Sequence, residues 1–140
     1  VAIQGPHDSV ILDDTYNASP DSVIAALNLL ADLVEGRRIA VLGDMLELGS
    51  YERIGHERVG RRAAAVVELL VTVGQRGKII AEAALRGGMR PEAVRAVDDY
   101  QQAVDFLLDE IQAGDVVLVK GSRAIYMEQV VAALNEAMEA

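Results

Sequence analysis

Polar side chains follow each of the short apolar runs in this sequence, and they are its main candidates for binding or catalysis. They form five clusters, at residues 13–17, 43–47, 74–76, 98–99 and 120–123. In an open parallel sheet, ligands bind beyond the carboxyl ends of the strands, which is where these clusters would lie. We therefore expect the loops that carry Asp14, Asn17, Asp44 and Lys120 to gather on one rim of a sheet and to form half of a cleft.

The first cluster, Asp13-Asp14-Thr15-Tyr16-Asn17, is the densest. It offers two carboxylates, a hydroxyl, a phenol and an amide, which can bind ribose hydroxyls, a base edge or a phosphate. An alternative stays open on residue type alone. In it, Asp13 or Asp14 only ties down the turn, and Asn17 accepts a left-handed backbone conformation.

The last cluster combines Lys120 as a point charge with Arg123 as a forked donor at the start of a helix. Together with the free N–H groups of that helix start, they suit a carboxylate or a phosphate. The alternative is a pair of surface cations with Ser122 as a plain N-cap.

The second cluster is acidic, since it contains Asp44 and Glu47, and could receive a cationic amine or a metal ion. Carboxylates are common in loops, so the preferred interpretation is a solvated loop. His56 lies in the following helix, where we expect an exposed or capping side chain rather than a catalytic one. His7 follows a Gly-Pro turn and is also expected to be exposed.

Composition narrows the class of protein. The chain has 140 residues and a formal net charge of -9, with its basic residues scattered among acidic ones. This excludes the basic stripe of a nucleic-acid binder but leaves room for a small phosphorylated ligand. The absence of Cys excludes disulfides and thiolate metal sites. The most apolar stretch, residues 63–73, is far shorter than the roughly 20 residues of a membrane helix, so we predict a soluble, cytoplasmic protein.

Strand-like runs alternate with segments of helical period, which predicts one three-layer α/β domain over residues 1–140, with a mostly parallel sheet and helices on both faces. Ser19 as N-cap and Pro20 at the first helical position predict a clear helix start, and Asp98 with Gln101 resembles a capping box. The first predicted strand could be the stub of a hairpin. The predicted strands span residues 1–4, 9–13, 38–42, 69–73, 93–97 and 114–120, and the predicted helices span residues 20–35, 51–65, 77–87, 98–112 and 123–138.

Several motifs of self-sufficient enzymes are missing. The sequence has no G-x-x-x-x-G-K-[ST] phosphate loop and no G-x-G-x-x-G after its first strand. It therefore supports neither an independent nucleotide hydrolase nor an ordinary dinucleotide enzyme. The candidate ligand-binding residues are present without a recognisable catalytic centre, and we assign no catalytic residue and no metal ligand.

Three blocks of the sequence, in order, are distinctive: DDTYNASPDS at residues 13–22, VLGDMLELG at residues 41–49 with His56 and Val59-Gly60 after it, and VLVKGSR at residues 117–123 followed by Met127-Glu128. Together they resemble the Mur ligase family, and within it the branch that adds D-alanyl-D-alanine. The departures are small: Ser19 stands where Asn is usual, Val23 where Met is common, and Ile125 where Gly or Met is more usual.

The resemblance implies a three-domain peptidoglycan-precursor ligase that uses ATP and Mg²⁺, of which this chain resembles only the carboxyl-terminal domain. Such an enzyme phosphorylates the carboxylate of UDP-MurNAc-tripeptide, and the amine of D-Ala-D-Ala attacks the acyl phosphate. The Mg²⁺ would be held mainly by the absent central domain. The implied partners are these two substrates and the central and N-terminal ligase domains, in a monomer, with neither nucleic acid nor membrane.

The resemblance also implies roles for individual residues. Asp14 would bind the ATP ribose, with Tyr16 and Asn17 near the nucleotide. A second group would contact the acceptor dipeptide or peptide carboxylates: Lys120, Ser122 and Arg123, with Asp44, Glu47 and His56 lining the acceptor side. Alone, this domain is expected to be inactive. The alternative is a non-catalytic Rossmann-like module that binds a nucleotide or a protein.

Overall fold

The apolar runs form six strands of one sheet in a computed structural model that describes residues 1–15 and 18–137. The spatial order of the strands is β1-β2-β6-β3-β4-β5. β1 pairs with β2 antiparallel, which confirms the hairpin stub, and the other neighbours pair in parallel. The strands are β1 (Ala2–Gln4), β2 (Val10–Asp14), β3 (Arg38–Gly43), β4 (Leu69–Val73), β5 (Val94–Val97) and β6 (Val116–Lys120).

Five helices in the described part of the chain cover the two faces of this sheet. They are α1 (Pro20–Leu33), α2 (Glu52–Val66), α3 (Gly77–Arg86), α4 (Tyr100–Glu110) and α5 (Met127–Ala137). Successive strand residues point to opposite faces, so Ile39 and Val41 join a core with α4 and α5, whereas Ala40 and Leu42 join a core with the other three helices. The predicted three-layer α/β fold is confirmed.

The start of α1 follows the sequence prediction. The Ser19 hydroxyl accepts from the backbone N–H of Ser22, and the Ser22 hydroxyl accepts from the N–H of Ser19. Pro20 occupies the first helical position, where no N–H is needed. The N-terminus of α1, which follows the first polar cluster, is therefore fixed by local hydrogen bonds.

The start of α4 differs from the prediction by one residue. Asp99, not Asp98, is the N-cap, and its carboxylate accepts from the N–H of Gln102. The N–H of Asp98 instead donates to the side-chain oxygen of Gln102. The proposed Asp98–Gln101 box is wrong because the Gln102 side chain binds the residue before the cap.

The last helix also begins later than predicted. A short 3-10 turn over Arg123–Ile125 is followed by Tyr126 at φ 62°, a left-handed conformation that ends the turn. α5 then starts at Met127. Arg123 therefore stands on a separate turn between β6 and α5, not in the first turn of a long helix.

Strand register brings the ends of four strands together. Asp14 lies opposite Lys120 across β2 and β6, Leu42 lies opposite Lys120 across β6 and β3, and Gly43 lies opposite Val73 across β3 and β4. We call this edge, which carries Asp14, Lys120, Asp44 and Gly74, the carboxyl rim. The predicted gathering is confirmed for Asp14, Asp44 and Lys120, whereas Asn17 lies outside the described residues.

Candidate functional site on the carboxyl rim

Lys120 and Asp14 form an ion pair across neighbouring strands. The Lys120 Nζ lies 2.7 Å from Asp14 Oδ2. The Lys120 side chain is 2% exposed, whereas the Asp14 side chain is 51% exposed. The alternative of a surface Lys120 is therefore wrong, because its ammonium group is turned into the rim while the carboxylate faces solvent.

The neighbouring Asp13 has different hydrogen-bond partners. Its Oδ1 accepts from both the backbone N–H and the hydroxyl of Thr15, at 3.2 and 2.8 Å. Asp13 thus ties down the turn, as the simpler interpretation of the first cluster held, while Asp14 does not. Tyr16 and Asn17, the other two predicted nucleotide contacts, lie outside the described residues.

An open cleft of about 640 Å³ lies beside this pair. Among the described residues it is lined by Val1, Asp13, Asp14, Thr15, Arg123 and Glu128. Its lining thus carries three carboxylates and one guanidinium, and the buried Oε2 of Glu128 has no hydrogen-bond partner in the described part of the chain. Carboxylate oxygens accept hydrogen bonds, so this cleft suits a group that carries hydroxyls.

A more apolar groove of about 400 Å³ adjoins the cleft and shares Val1, Asp13 and Asp14 with it. Its walls include Leu29 and Leu33 of α1, which are 60% and 75% exposed. Asp14 therefore stands where a polar cleft meets an apolar surface.

Asp44 lies on the other half of the rim and is buried. Its Oδ1 accepts from the N–H of Gly77, the first residue of α3, at 2.8 Å, and its Oδ2 lies 3.6 Å from Arg76 Nη1. The preferred interpretation of a solvated Asp44 is wrong, because the carboxylate joins the end of β3 to the start of α3. Glu47 in the same loop is exposed and has a left-handed backbone at φ 65°.

His56 is completely buried. Its Nδ1 lies 2.7 Å from the carbonyl oxygen of Glu52, and its Nε2 lies 3.0 Å from the N–H of Met45. A carbonyl oxygen can only accept, so Nδ1 carries the proton and Nε2 accepts from Met45. The expectation of an exposed or capping His56 is wrong, and this ring presents no nitrogen to a ligand.

Ser122 joins the two halves of the rim. Its backbone N–H donates to the carbonyl oxygen of Asp44, and its hydroxyl accepts from the N–H of Leu46 at 3.1 Å. It occupies the N-cap position of the following 3-10 turn but makes no side-chain cap hydrogen bond, so the interpretation of Ser122 as a plain N-cap holds for its position only. We refer to Asp44, His56, Ser122 and Arg76 together as the Asp44 network.

Sequence reasoning assigned no role to Arg76, although it stands just beyond the end of β4. Its Nε lies 2.6 Å from Glu52 Oε1. The hydrogen bond from Arg76 lowers the pKa of Glu52, and the same bond raises the pKa of Arg76. The position of Arg76 after a strand was the available signal, but its partners come from another loop and another helix.

Gly74 shows how closely the Asp44 network is packed. A Cβ atom at this position would lie 2.5 to 2.6 Å from the Asp44 carboxylate, and the backbone is at φ +99°. A larger residue would therefore meet both a backbone penalty and a collision with Asp44.

Within residues 1–15 and 18–137, no helix is both long and apolar enough to cross a lipid bilayer. Over the same residues, no group of three or more His, Asp or Glu side chains is arranged to hold a metal ion.

Fold and rim together define a class: an α/β domain whose candidate binding groups stand at the carboxyl ends of parallel strands. The chain belongs to the family described as Mur ligase, glutamate ligase domain, whose model matches residues 2–123.

Characterised relatives specify the branch of the family. The UDP-N-acetylmuramoyl-tripeptide–D-alanyl-D-alanine ligase of Escherichia coli is 36% identical over 135 residues, which cover 96% of this chain and 28% of that protein. The corresponding ligase of Mycobacterium leprae is 39% identical over 132 residues, covering 82% of this chain and 25% of that protein. The chain therefore spans about a quarter of the length of these relatives.

Solved structures agree with this assignment. The MurF ligase of Thermotoga maritima in complex with ADP matches with a TM-score of 0.80 and 27% identity, over 98% of this chain and 30% of that one. MurF of Acinetobacter baumannii matches with a TM-score of 0.78 and 34% identity, over 100% of this chain and 30% of that one. The resemblance to the D-alanyl-D-alanine-adding branch of the Mur ligases is confirmed.

Proposed function

We propose that this chain is a single domain of an ATP-dependent ligase that joins D-Ala-D-Ala to UDP-MurNAc-tripeptide, and that it supplies nucleotide and acceptor contacts without being active alone. The relatives that bear this activity in their names are three to four times as long as the chain, which supports a division of labour between domains. A cytoplasmic location and a monomeric state belong to the same proposal and rest on the family resemblance.

The observation that carries the nucleotide half of the proposal is the half-exposed Asp14 carboxylate, held beside an acidic cleft and an apolar groove. A ribose offers two neighbouring hydroxyls, and a carboxylate is acceptor-only when ionised. ADP in the Thermotoga maritima relative is consistent with a nucleotide site in this kind of enzyme.

The part of the proposal that concerns the acceptor dipeptide rests on exposed charged side chains. D-Ala-D-Ala carries an ammonium group at one end and a carboxylate at the other. Glu47 and Arg123 are both exposed and have the complementary charges. A left-handed backbone at a non-glycine residue costs on the order of 1 kcal/mol, so the conformation of Glu47 is an outlier of the kind found in functional loops.

The remaining predicted acceptor residues would act indirectly. Asp44, His56 and Ser122 use their polar groups on the chain itself, so we propose that they fix the loops that carry Glu47 and Arg123. Such fixing matters because a ligase must hold its amine and its activated carboxylate in reactive geometry.

ATP would phosphorylate the tripeptide carboxylate, and the D-Ala-D-Ala amine would then displace phosphate from the acyl phosphate to form the amide. In that sequence this chain would bind the ribose through Asp14, orient the dipeptide through its exposed charges, and exclude water when it closes on the rest of the enzyme. We assign no Mg²⁺ ligand to its described residues.

A chimera tests this function. The chain would replace the corresponding quarter of the Escherichia coli ligase, and product would be followed with UDP-MurNAc-tripeptide, ATP and D-Ala-D-Ala. We expect dipeptide-dependent ligation by the chimera, none by the chain alone, and a strong loss in a chimera with Asp14→Asn. Asp98→Asn, at an exposed strand end away from the cleft, is the matched control and should keep activity. A folded chimera without ligation would contradict the proposal.

A further inference from the structure

The burial of the Lys120 side chain requires a physical explanation. Moving an ammonium group out of water is costly unless a counter-charge lies close by. The Lys120 side chain is 2% exposed, and its Nζ lies 2.7 Å from Asp14 Oδ2. Lys120 ends β6, between β2 and β3, so main chain flanks it on both sides. A ligand on the rim would meet Asp14 before it could reach this ammonium group.

Asp14 and Lys120 differ in how accessible they are to a ligand in the cleft. Asp14 has half of its side chain in solvent and lines the cleft, whereas Lys120 lines neither the cleft nor the adjoining groove. The register of β2 and β6 places the two residues opposite each other, so the pair is set by the sheet and not by a loop. Lys120 can therefore fix both the charge and the direction of the Asp14 carboxylate.

We infer that Lys120 is a positioning residue that acts through Asp14, and that it does not touch nucleotide phosphate or the acceptor carboxylate. This replaces the direct substrate contact that the family resemblance implied for Lys120. The inference rests on the proposed role of Asp14 in binding ribose hydroxyls. It makes Lys120 a determinant of ribose recognition, although no part of the ligand reaches it.

A ligand series separates this role from a direct contact. If Lys120 acts through Asp14, its loss must weaken adenosine, ADP and ATP by the same factor, since all three carry the same ribose. It must also leave 2′,3′-dideoxy-ATP unaffected, because this nucleotide lacks both hydroxyls. A direct phosphate contact predicts the opposite: a loss that grows with the number of phosphates and persists without the hydroxyls.

The experiment measures dissociation constants of these four ligands by calorimetry for the chain and its variants Lys120→Met, Asp14→Asn and the double variant. Lys78→Met is the matched control, because Lys78 pairs with Asp98 at 3.7 Å on another strand end, with both side chains well exposed. For Lys120→Met we expect an equal loss of about ten- to hundredfold for adenosine, ADP and ATP, the range of a charge-assisted hydrogen bond. The double variant should bind no more weakly than Asp14→Asn alone, since the two residues act as a unit.

A second readout covers the case in which Lys120→Met does not fold. The sequence contains only two lysines, Lys78 and Lys120, so their side-chain ammonium signals can be assigned in the unaltered chain by nuclear magnetic resonance. Asp14→Asn should move the Lys120 signal and leave that of Lys78 in place. Saturation with adenosine and with ATP should shift the Lys120 signal equally.

The outcomes are separable. A loss or a signal shift that increases from adenosine to ATP would overturn the inference while leaving the proposed nucleotide function intact. If the unaltered chain binds none of the ligands, the inference fails, whereas the proposed nucleotide role is decided by the ligation assay with the chimera. Equal effects across the series, absent for the dideoxy nucleotide, support both.

Discussion

The two halves of the carboxyl rim contain the same kinds of residues but use them differently. In the Asp44 network, the carboxylate of Asp44, both ring nitrogens of His56 and the hydroxyl of Ser122 bind other groups of the same chain. In the Asp14–Lys120 pair, the ammonium group is buried and the carboxylate remains half exposed. The polar groups of the Asp44 network are occupied by hydrogen bonds within the chain. The Asp14–Lys120 pair instead keeps a carboxylate that can accept a hydrogen bond from a ligand in the cleft.

A dense cluster of polar residues at a strand end therefore does not by itself indicate ligand contact. The useful quantity is the hydrogen-bonding capacity that remains after the chain has satisfied its own groups. By that measure, Asp14 and Glu47 are candidates for contact, and Arg123 is a candidate because its charge is exposed, whereas Asp44 and His56 support the loops. Four substitutions test this division, and the loss of stability they should cause decreases from Asp44 to the Arg76–Glu52 pair.

Removing the Asp44 carboxylate should be the most damaging of these changes to the fold. Asp44→Ala leaves the buried N–H of Gly77 without its acceptor, so we expect the free energy of unfolding to fall by about 3 kcal/mol. Urea denaturation measures this loss. Asp44→Asn keeps an acceptor for Gly77 and should lose clearly less. Both variants should retain the affinity for ATP; a selective loss of affinity in a stable Asp44→Asn chain would break the comparison.

A methyl group at Gly74 probes the packing of the same network. Gly74→Ala should lower the free energy of unfolding by about 2 to 3 kcal/mol, because a strained backbone adds to a collision with Asp44. Gly88 has a similar backbone, at φ +105°, but open space around it. Gly88→Ala should therefore lose only about 1 kcal/mol, the backbone part. Equal losses at the two glycines would mean that Asp44 is not held where the structure places it.

Replacing His56 tests its role as a fixed link between α2 and the loop after β3. His56→Leu removes the acceptor of the Met45 N–H, and we expect a loss of about 2 kcal/mol in thermal or urea unfolding. His7→Asn is the control, since His7 is exposed and Asn tolerates its left-handed backbone, and it should change little. An unchanged stability in His56→Leu would argue that the ring is not needed to hold this loop.

The exposed Arg76–Glu52 pair should give the smallest effect and a defined pH dependence. The pKa of Glu52 is lowered by the hydrogen bond from Arg76, so the bond stabilises the folded state when Glu52 is ionised. Its contribution is present above the ordinary value of 4.5 and is lost as the pH falls through the lowered pKa. The unfolding difference between the unaltered chain and Glu52→Gln should therefore be constant at neutral pH and vanish in acid. A difference that grows in acid would contradict this assignment.

Much of the fold was predictable because its signals are local. The hydroxyl of Ser19 and the ring of Pro20 fix the start of α1, and alternating apolar runs gave the strands to within a few residues. The rim was predictable too, since parallel strands bring their carboxyl ends to one edge. The start of α5 was not, because no glycine marks the left-handed turn at Tyr126.

The roles of the rim residues depended on long-range order. Lys120 is buried because β6 lies between β2 and β3, an arrangement that the sequence of β6 does not contain. Asp44 is buried because α3 begins beside it after an intervening helix and strand. His56 could have been predicted as buried, since Val59 and Ala63 share its helix face at spacings of three and seven.

The most direct test of the account follows backbone amide signals of the unaltered chain during titration with ATP. We predict that shifts concentrate at Thr15, Gly121 and Arg123, beside the Asp14–Lys120 pair, that they are absent at Gly77 and Met45, and that Asp14→Asn abolishes them. Shifts centred on Gly77 and Met45 that survive Asp14→Asn would contradict the account, because the Asp44 network would then be the half of the rim that binds nucleotide.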